Sequence, residues 1–487
     1  METAMKRPPI VVVVGSVDHG KTSLLDTIRK TNTAAREAGS ITQAIAAYEI
    51  EHAGERITFI DTPGHEAFLA MRARGATIAD MAILAVAADD GVKPQTIESI
   101  KILRETKTPF VVAITKIDRV SPTDIERVKQ ELAAHEVALE GMGGSVSFQA
   151  LSSKTGEGIP ELLDFLLLTA AVEELSYDPA AGGEAVILEA HRDSRRGVSV
   201  SAIVHEGTIR EGDDIATPTA RGKIKILESF TGARIREAAP SLPIHIIGLE
   251  ELPCIGEVLF AGTHAADILP ITPRAPAPPP SPVGEKPSGE SVNIILTADA
   301  AGSLEALSQV VRSLHRDETA RPDKTTPSIR IVAESIGDIT DGDVKRAIST
   351  NASIIGFRVE ATKAAEGLAR THHIRVITSD IIYDLIKTIE ETFSKLGEKI
   401  HAGVLEILRS FGTKENKQII GGAVREGMIR TGSTVGVERK GRIIGTLKIV
   451  NLQKAHVNAL TIEAGNECGI LAESAVEIKP GDLLIAD

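Results

Sequence analysis

Eight residues carry the spacing GxxxxGK[ST]: Gly15-Ser16-Val17-Asp18-His19-Gly20-Lys21-Thr22. The β-branched run Ile10-Val11-Val12-Val13-Val14 precedes them and reads as a buried strand. Ser23-Leu24-Leu25-Asp26-Thr27-Ile28 follows and reads as the first turns of a helix. Backbone amides and the positive end of a helix dipole at such a junction surround a polyphosphate. Lys21 reaches the terminal phosphates, and the Thr22 hydroxyl ligates Mg²⁺. An ordinary glycine-rich turn leaves the Lys21-Thr22 pair unexplained.

Three further motifs follow in order. Asp61-Thr62-Pro63-Gly64-His65 ends the predicted strand Arg56–Asp61. Asp61 is placed to hold Mg²⁺, and Gly64 to offer an amide to the γ-phosphate. Thr115-Lys116-Ile117-Asp118 ends the strand Pro109–Thr115. The Asp118 carboxylate accepts from N1–H and N2–H₂ of guanine, a donor pair that adenine lacks. Ser152-Ser153-Lys154 ends the strand Val146–Leu151 and supports the base from its other side. The nucleotide is therefore GTP or GDP rather than an adenine nucleotide.

These motifs need strands to deliver them, and residues 6–177 alternate strand with helix: Met81–Ala88, Gln95–Glu105, Ser121–Val137 and Ile159–Glu173 complete the set. Every motif falls at a strand C-terminus, where a doubly wound α/β sheet binds ligands. The length of 487 residues allows three or four domains. Two cysteines, Cys254 and Cys468, exclude a disulfide framework and a thiolate zinc site and fit the cytoplasm. No apolar run is long enough to cross a membrane. A net charge of −13 argues against broad nucleic-acid binding but leaves room for one local RNA contact.

Asp18-His19-Gly20-Lys21-Thr22 and Asp61-Thr62-Pro63-Gly64-His65 resemble the forms carried by translational GTPases. The resemblance implies that His65 orients the attacking water once a ribosome engages; the bland reading is a solvated loop histidine. Hydrolysis in isolation is expected to be slow, because no arginine finger is evident. Glu37 to Tyr48 resembles the first switch of bacterial translation initiation factor two, with Thr42 as the residue that closes on Mg²⁺ and γ-phosphate. Otherwise Thr42 is a loop hydroxyl. Ala44 and Ala46 replace the family's usual His and Gly, and Thr115 replaces Asn. Those departures are expected to stiffen the switch and weaken nucleotide affinity while leaving guanine selectivity with Asp118.

Beyond the GTPase segment, residues 180–268 alternate short strands with glycine turns and read as a β-barrel. Residues 269–290 read as a Pro-rich linker. Residues 291–378 return to α/β alternation, an α/β/α sandwich, with Ser303 expected to N-cap a helix. Residues 379–399 read as a connecting helix, and 400–487 as a second β-barrel. The two barrels repeat one pattern: Val204 to Gly212 matches Val424 to Gly432 as VxEGxIRxG.

This order resembles that of bacterial initiation factor two without its long N-terminal extension. The resemblance implies formylmethionyl initiator tRNA at the last barrel, both ribosomal subunits and other initiation factors as partners, and a monomer. Gly465-Asn466-Glu467-Cys468-Gly469 matches the loop contributing to the tRNA site, and Arg425 and Lys454 are chosen for charge alone. Chemistry by itself reads Cys468 as a small buried apolar residue. The alternatives are an elongation-type or selenocysteine-specific tRNA carrier, or a GTPase that regulates a metabolic enzyme.

Overall fold

A computed structural model describes residues 5–30, 42–193, 196–268, 291–319, 328–397, 403–414, 417–439, 442–454, 457–474 and 476–486. The Pro-rich stretch 269–290, switch residues 37–41, and the outer ends of the 379–399 and 400–487 segments lie outside the described residues. The chain divides into two compact units, the larger ending at Thr388 and the smaller beginning at Ile389.

The larger unit opens on a six-stranded sheet in the order Ala46–His52, Glu55–Asp61, Ile10–Gly15, Met81–Ala87, Phe110–Thr115, Phe148–Ala150. All its pairings are parallel except the hairpin between Ala46–His52 and Glu55–Asp61. Ile10–Gly15 and Met81–Ala87 are buried at every residue, as a central parallel strand covered on both faces must be. Val11 and Val13 join Leu24, Leu25, Leu162 and Leu166 in one core. Val12 points the other way, towards Gly75 of the helix Leu69–Ile78. Truncating one of these aliphatic chains to alanine costs about 2–5 kcal/mol. The register aligns Val13 with Asp61, Gly15 with Ala85 and Ala87 with Thr115, so the motif loops leave the sheet at one edge. The chain turns to opposite sides of Ile10–Gly15, which puts the crevice at that strand's C-terminus.

Six strands then close into a barrel in the order Gly197–Glu206, Pro243–Leu249, Arg221–Ser229, Asp214–Ala216, Val258–Ala261, Gly183–Asp193. The strand Val258–Ala261, four residues long and preceded by a turn at Gly256, was not anticipated from the sequence. A four-stranded parallel sheet follows in the order Ser328–Ile336, Ser291–Ala298, Ala352–Phe357, Val376–Ser379, with helices Ala301–Thr319, Asp341–Thr350 and Lys363–Thr371. Ser303 does not cap the first of these. The helix starts at Ala301, and the Ser303 hydroxyl is buried inside its first turn. The carboxylate of barrel residue Glu189 instead accepts from Gly302 N at 2.8 Å. A helix, Ile382–Gly397, leads on.

The smaller unit is a second barrel. Its ring runs Lys417–Arg430, Glu467–Ser474, Arg442–Lys454, Thr434–Arg439, Leu483–Ala486, Gly403–Lys414, and the last strand pairs back to the first. Strand for strand, this is the connectivity of the first barrel. The repeated motif takes one backbone path in both. Gly207 and Gly427 each have φ of 62°, a left-handed turn that a Cβ disfavours. Among the described residues, no helix is long and apolar enough to cross a membrane.

Candidate functional site

The buried strand Ile10–Gly15 delivers the loop Ser16–Gly20 to the start of the helix Lys21–Arg29. Three side chains hold that loop. Gln95 Oε1 accepts from Ser16 Oγ at 2.8 Å and from Val17 N at 2.9 Å. Thr115 Oγ1 donates to His19 O at 2.8 Å. Lys21 Nζ donates to Ser16 O at 2.7 Å. Burial lowers the Lys21 ammonium to about 8, with Asp61 opposing the shift. His19 lies fully buried beneath the loop, and burial lowers its pKa.

A cavity of about 360 Å³ lies on this loop. It is lined by Val17, Asp18 and Gly20 to Ser23, with Thr42, Gly64, His65, Lys116 and Arg119. Gly64 approaches so closely that a Cβ there would collide with Lys21 Nζ and stand 3.0 Å from Val17 N. The Thr22 and Thr42 hydroxyls hydrogen-bond at 2.7 Å, and Thr42 Oγ1 donates to Asp61 Oδ2 at 3.4 Å. Three oxygen donors thus converge beside the phosphate loop, a hard set that suits Mg²⁺ rather than a softer ion. Thr62, which follows Asp61, is turned inward and donates from Oγ1 to Val13 O at 2.8 Å.

His65 is buried and N-caps the short turn Glu66–Phe68 through Nδ1, which accepts from Ala67 N at 2.9 Å. Burial lowers its pKa, so the ring is neutral near pH 7. An amide donor on Nδ1 leaves the imidazole proton on Nε2. Arg72 fixes the loop from behind. Its fully buried guanidinium donates to Pro63 O at 3.2 Å and to His65 O at 2.5 Å, and pairs with Glu98 at 3.0 Å.

The residues expected from the sequence to read the base lie beyond Lys116. Asp118 is exposed, and Ser152 Oγ donates to its Oδ1 at 2.6 Å. That bond holds the Asp118 carboxyl below its ordinary pKa, and Lys154 adds to the effect. Ser152 Oγ in turn accepts from Lys154 N at 3.2 Å, and Ser153 O accepts from Thr27 Oγ1 at 2.8 Å. Lys116 adopts a left-handed φ of 60°, and its ammonium lies 3.4 Å from Asp89; Ile117 opens the short turn Ile117–Arg119.

In the smaller unit, the register sets Ala423 opposite Glu467, Gly422 opposite Cys468 and Gly421 opposite Gly469, while Gln453 also faces Gly469. Arg425 and Lys454 therefore flank the strand that carries Glu467 to Gly469. Arg425 is paired with Glu406, its Nε 2.7 Å from Oε2. Gly465 N donates to Val424 O at 2.8 Å, and Asn466 Nδ2 to Glu463 O at 3.0 Å. Cys468 lies in the barrel core, where burial pushes its thiol up to about 11. It is a packed side chain rather than a reactive one.

Sequence reasoning passed over Gln95, Arg72, Gln43 and Tyr383. Gln95 was visible only as a polar residue after Pro94 at a helix start. Arg72 lies on the helix Leu69–Ile78, a segment to which the sequence reading assigned no element, and nothing local marks its burial.

A parallel sheet with these loops at one edge, followed by a six-stranded barrel, defines a GTPase of the translational class. Family models agree with that division. The Elongation factor Tu GTP binding domain matches residues 6–171, Elongation factor G domain 2 matches 183–262, and Translation-initiation factor 2 matches 283–390. Translation initiation factor IF-2 of Rubrobacter xylanophilus is 37% identical over 501 residues, covering 99% of this chain and 71% of that protein. The Bartonella tribocorum IF-2 is 38% identical over 504 residues, covering 98% and 58%. The chain belongs to the translation initiation factor IF-2 family. It spans less than two thirds of the Bartonella relative's length. A crystal structure of GDP-bound aIF5B from Aeropyrum pernix is similar at 24% identity, covering 99% of this chain and 92% of that one, with a TM-score of 0.47.

Proposed function

We propose that this chain is a GTP-switched initiation factor that brings formylmethionyl initiator tRNA to the small ribosomal subunit. It then promotes joining of the large subunit and hydrolyses GTP on the ribosome. The observation that carries the switch is the junction of Thr42 with Thr22 and Asp61, because it ties a distant loop to the phosphate-binding helix. Thr22, Thr42 and Asp61 would hold a magnesium ion, which neutralises charge on the phosphates. Lys21 and the loop amides cradle the polyphosphate, Gly64 offers its amide to the terminal phosphate, and Asp118 reads guanine. His65, protonated on Nε2, donates a hydrogen bond that orients water instead of accepting its proton. Loss of the terminal phosphate releases Thr42 and Gly64.

The tRNA reading rests on the family and on the register that gathers Arg425, Glu467 to Gly469 and Lys454. Cys468 is buried, whereas Gly465, Glu467 and Gly469 of that loop are exposed. An elongation-type or selenocysteine-specific carrier is disfavoured by residues 283–390, which match the Translation-initiation factor 2 model.

The test measures spontaneous ester hydrolysis with full-length protein and GTP. Formylmethionyl initiator tRNA is expected to be protected and elongator aminoacyl-tRNA left unprotected. Equal protection of both, or of neither, overturns the assignment.

A further inference from the structure

Two cleft-bearing segments converge on one short stretch more than three hundred residues further on. The Gln43 carboxamide donates from Nε2 to Asp380 O at 2.8 Å and accepts at Oε1 from Ile382 N at 3.0 Å. Ile382 opens the helix Ile382–Gly397, and its amide has no acceptor within the helix. Gln43 therefore caps that helix from a distance, next in sequence to Thr42. One residue further along the helix, the Tyr383 ring meets the His65 ring edge-on, with centroids 4.3 Å apart and planes at 89°. Tyr383 is 41% exposed, so it is not a core residue of its own helix. The rest of the His65 environment is fixed: Nδ1 by Ala67 N, the carbonyl by Arg72, and the ring by an edge contact with Phe68, centroids 6.3 Å apart. Any reorientation of the imidazole must break the contact with Tyr383.

We propose that Tyr383 is a positioning residue for His65. It holds the imidazole in a resting orientation, and Gln43 holds Tyr383 in place by fixing the first turn of its helix. The proposal rests on His65 acting in hydrolysis, as argued above. Displacing that first turn would remove the Tyr383 contact from the His65 ring and the Gln43 bonds beside Thr42 in one movement, leaving the ring held only by its own segment. An edge-on aromatic pair is worth about 2- to 10-fold in the population of the pinned rotamer.

The experiment follows single-turnover GTP hydrolysis by the full chain without ribosomes, alongside ring signals of ¹⁵N-histidine-labelled protein assigned by their loss in His65→Ala. Tyr383→Ala is expected to hydrolyse about 3- to 10-fold faster and to shift the His65 signals out of the neighbouring ring current. Tyr383→Phe keeps the ring and should match wild type in both readouts. Gln43→Ala should give a smaller gain of the same sign. Tyr383→Leu replaces the alanine variant if that protein does not fold. Unmoved His65 signals in Tyr383→Ala overturn the positioning role. Moved signals with a rate at or below wild type overturn the resting orientation. A gain that persists in His65→Ala/Tyr383→Ala overturns the proposal by a different route, since His65 is then not the group that acts. In that last case the His65 signals still move in the Tyr383→Ala single variant, which separates failure of the functional reading from failure of the contact.

Discussion

Thr115 Oγ1 donates to the main-chain oxygen of His19 at 2.8 Å, tying the strand that carries the base-reading loop to the loop that carries the phosphate. Both residues are buried, at 1% and 0% exposure, so the lost bond would not be replaced by water. Thr115→Val keeps the shape and strands the His19 carbonyl. An unsatisfied buried acceptor costs about 1–3 kcal/mol, and we expect GTP and GDP to bind about 5- to 20-fold more weakly. Preference for guanine over adenine nucleotides should not change, because Asp118 is untouched. Calorimetric titration with GDP, GTP and ATP checks all three statements.

In the proposed function Asp118 reads the base, which it can do only as a carboxylate, and the Ser152 hydroxyl stabilises that form. Its pKa is lowered, so guanine affinity is complete above the ordinary aspartate range and is lost as pH falls through the lowered value. Ser152→Ala removes the largest cause of the shift. The loss of GDP affinity should then begin at higher pH than in wild type, with the two proteins converging near neutrality. Fluorescent-GDP titrations across pH 4–7 measure this, and superimposable curves would refute it.

The phosphate-loop strand and helix, the guanine motif and the repeat between the barrels were legible because each depends on residues close together in sequence. VxEGxIRxG specifies a strand, a left-handed glycine and a second strand wherever it occurs, and the matching φ of Gly207 and Gly427 follows. What was not legible depends on distance. One local signal was passed over: Tyr48-Glu49-Ile50-Glu51 alternates, yet the hairpin strand Ala46–His52 was read as far as Tyr48 as part of a switch segment. Ser303 has the right type for a cap, yet a carboxylate from the barrel reaches Gly302 first. Gln43 and Tyr383 gain their contacts across more than three hundred residues, where neither periodicity nor composition carries a signal.

Arg72 is fully buried and donates to two carbonyls of the Pro63–His65 loop. Its planar fork reaches both carbonyls and Glu98 together, which a single ammonium cannot do. Arg72→Met should lower stability by about 2–4 kcal/mol, since two carbonyls lose a charged donor. Arg72→Lys should recover little of this. Nucleotide affinity is expected to remain within about twofold at a temperature where the variant is folded, because none of these bonds touches the phosphate loop. Hydrolysis should fall in both variants as the His65 backbone loosens. Thermal melts and GDP titrations on the same samples separate the two effects.

Glu189 is the opposite kind of buried charge. Its Oε1 caps Gly302 and accepts from Ala190 N at 3.1 Å, while Oε2 has no hydrogen-bond partner among the described residues. Burial raises its pKa above the unfolded value, with the Gly302 amide opposing and nearby Asp299 adding to the rise. A carboxyl with a raised folded pKa binds more protons in the native state. Its contribution to stability is therefore greatest at low pH and is lost as pH rises from the unfolded pKa through the folded one. Glu189→Gln keeps the acceptor for Gly302 N and removes the charge. We expect it to stabilise the larger unit by about 1 kcal/mol near pH 7 and to flatten the pH dependence of its melting temperature between pH 4 and 7. Glu189→Ala removes the cap as well and should destabilise by about 1–2 kcal/mol at every pH. Melting curves of the three proteins at pH 4.5 and 7 decide the matter. A glutamine variant less stable than wild type at pH 7 would mean that the buried carboxylate is favourable as it stands.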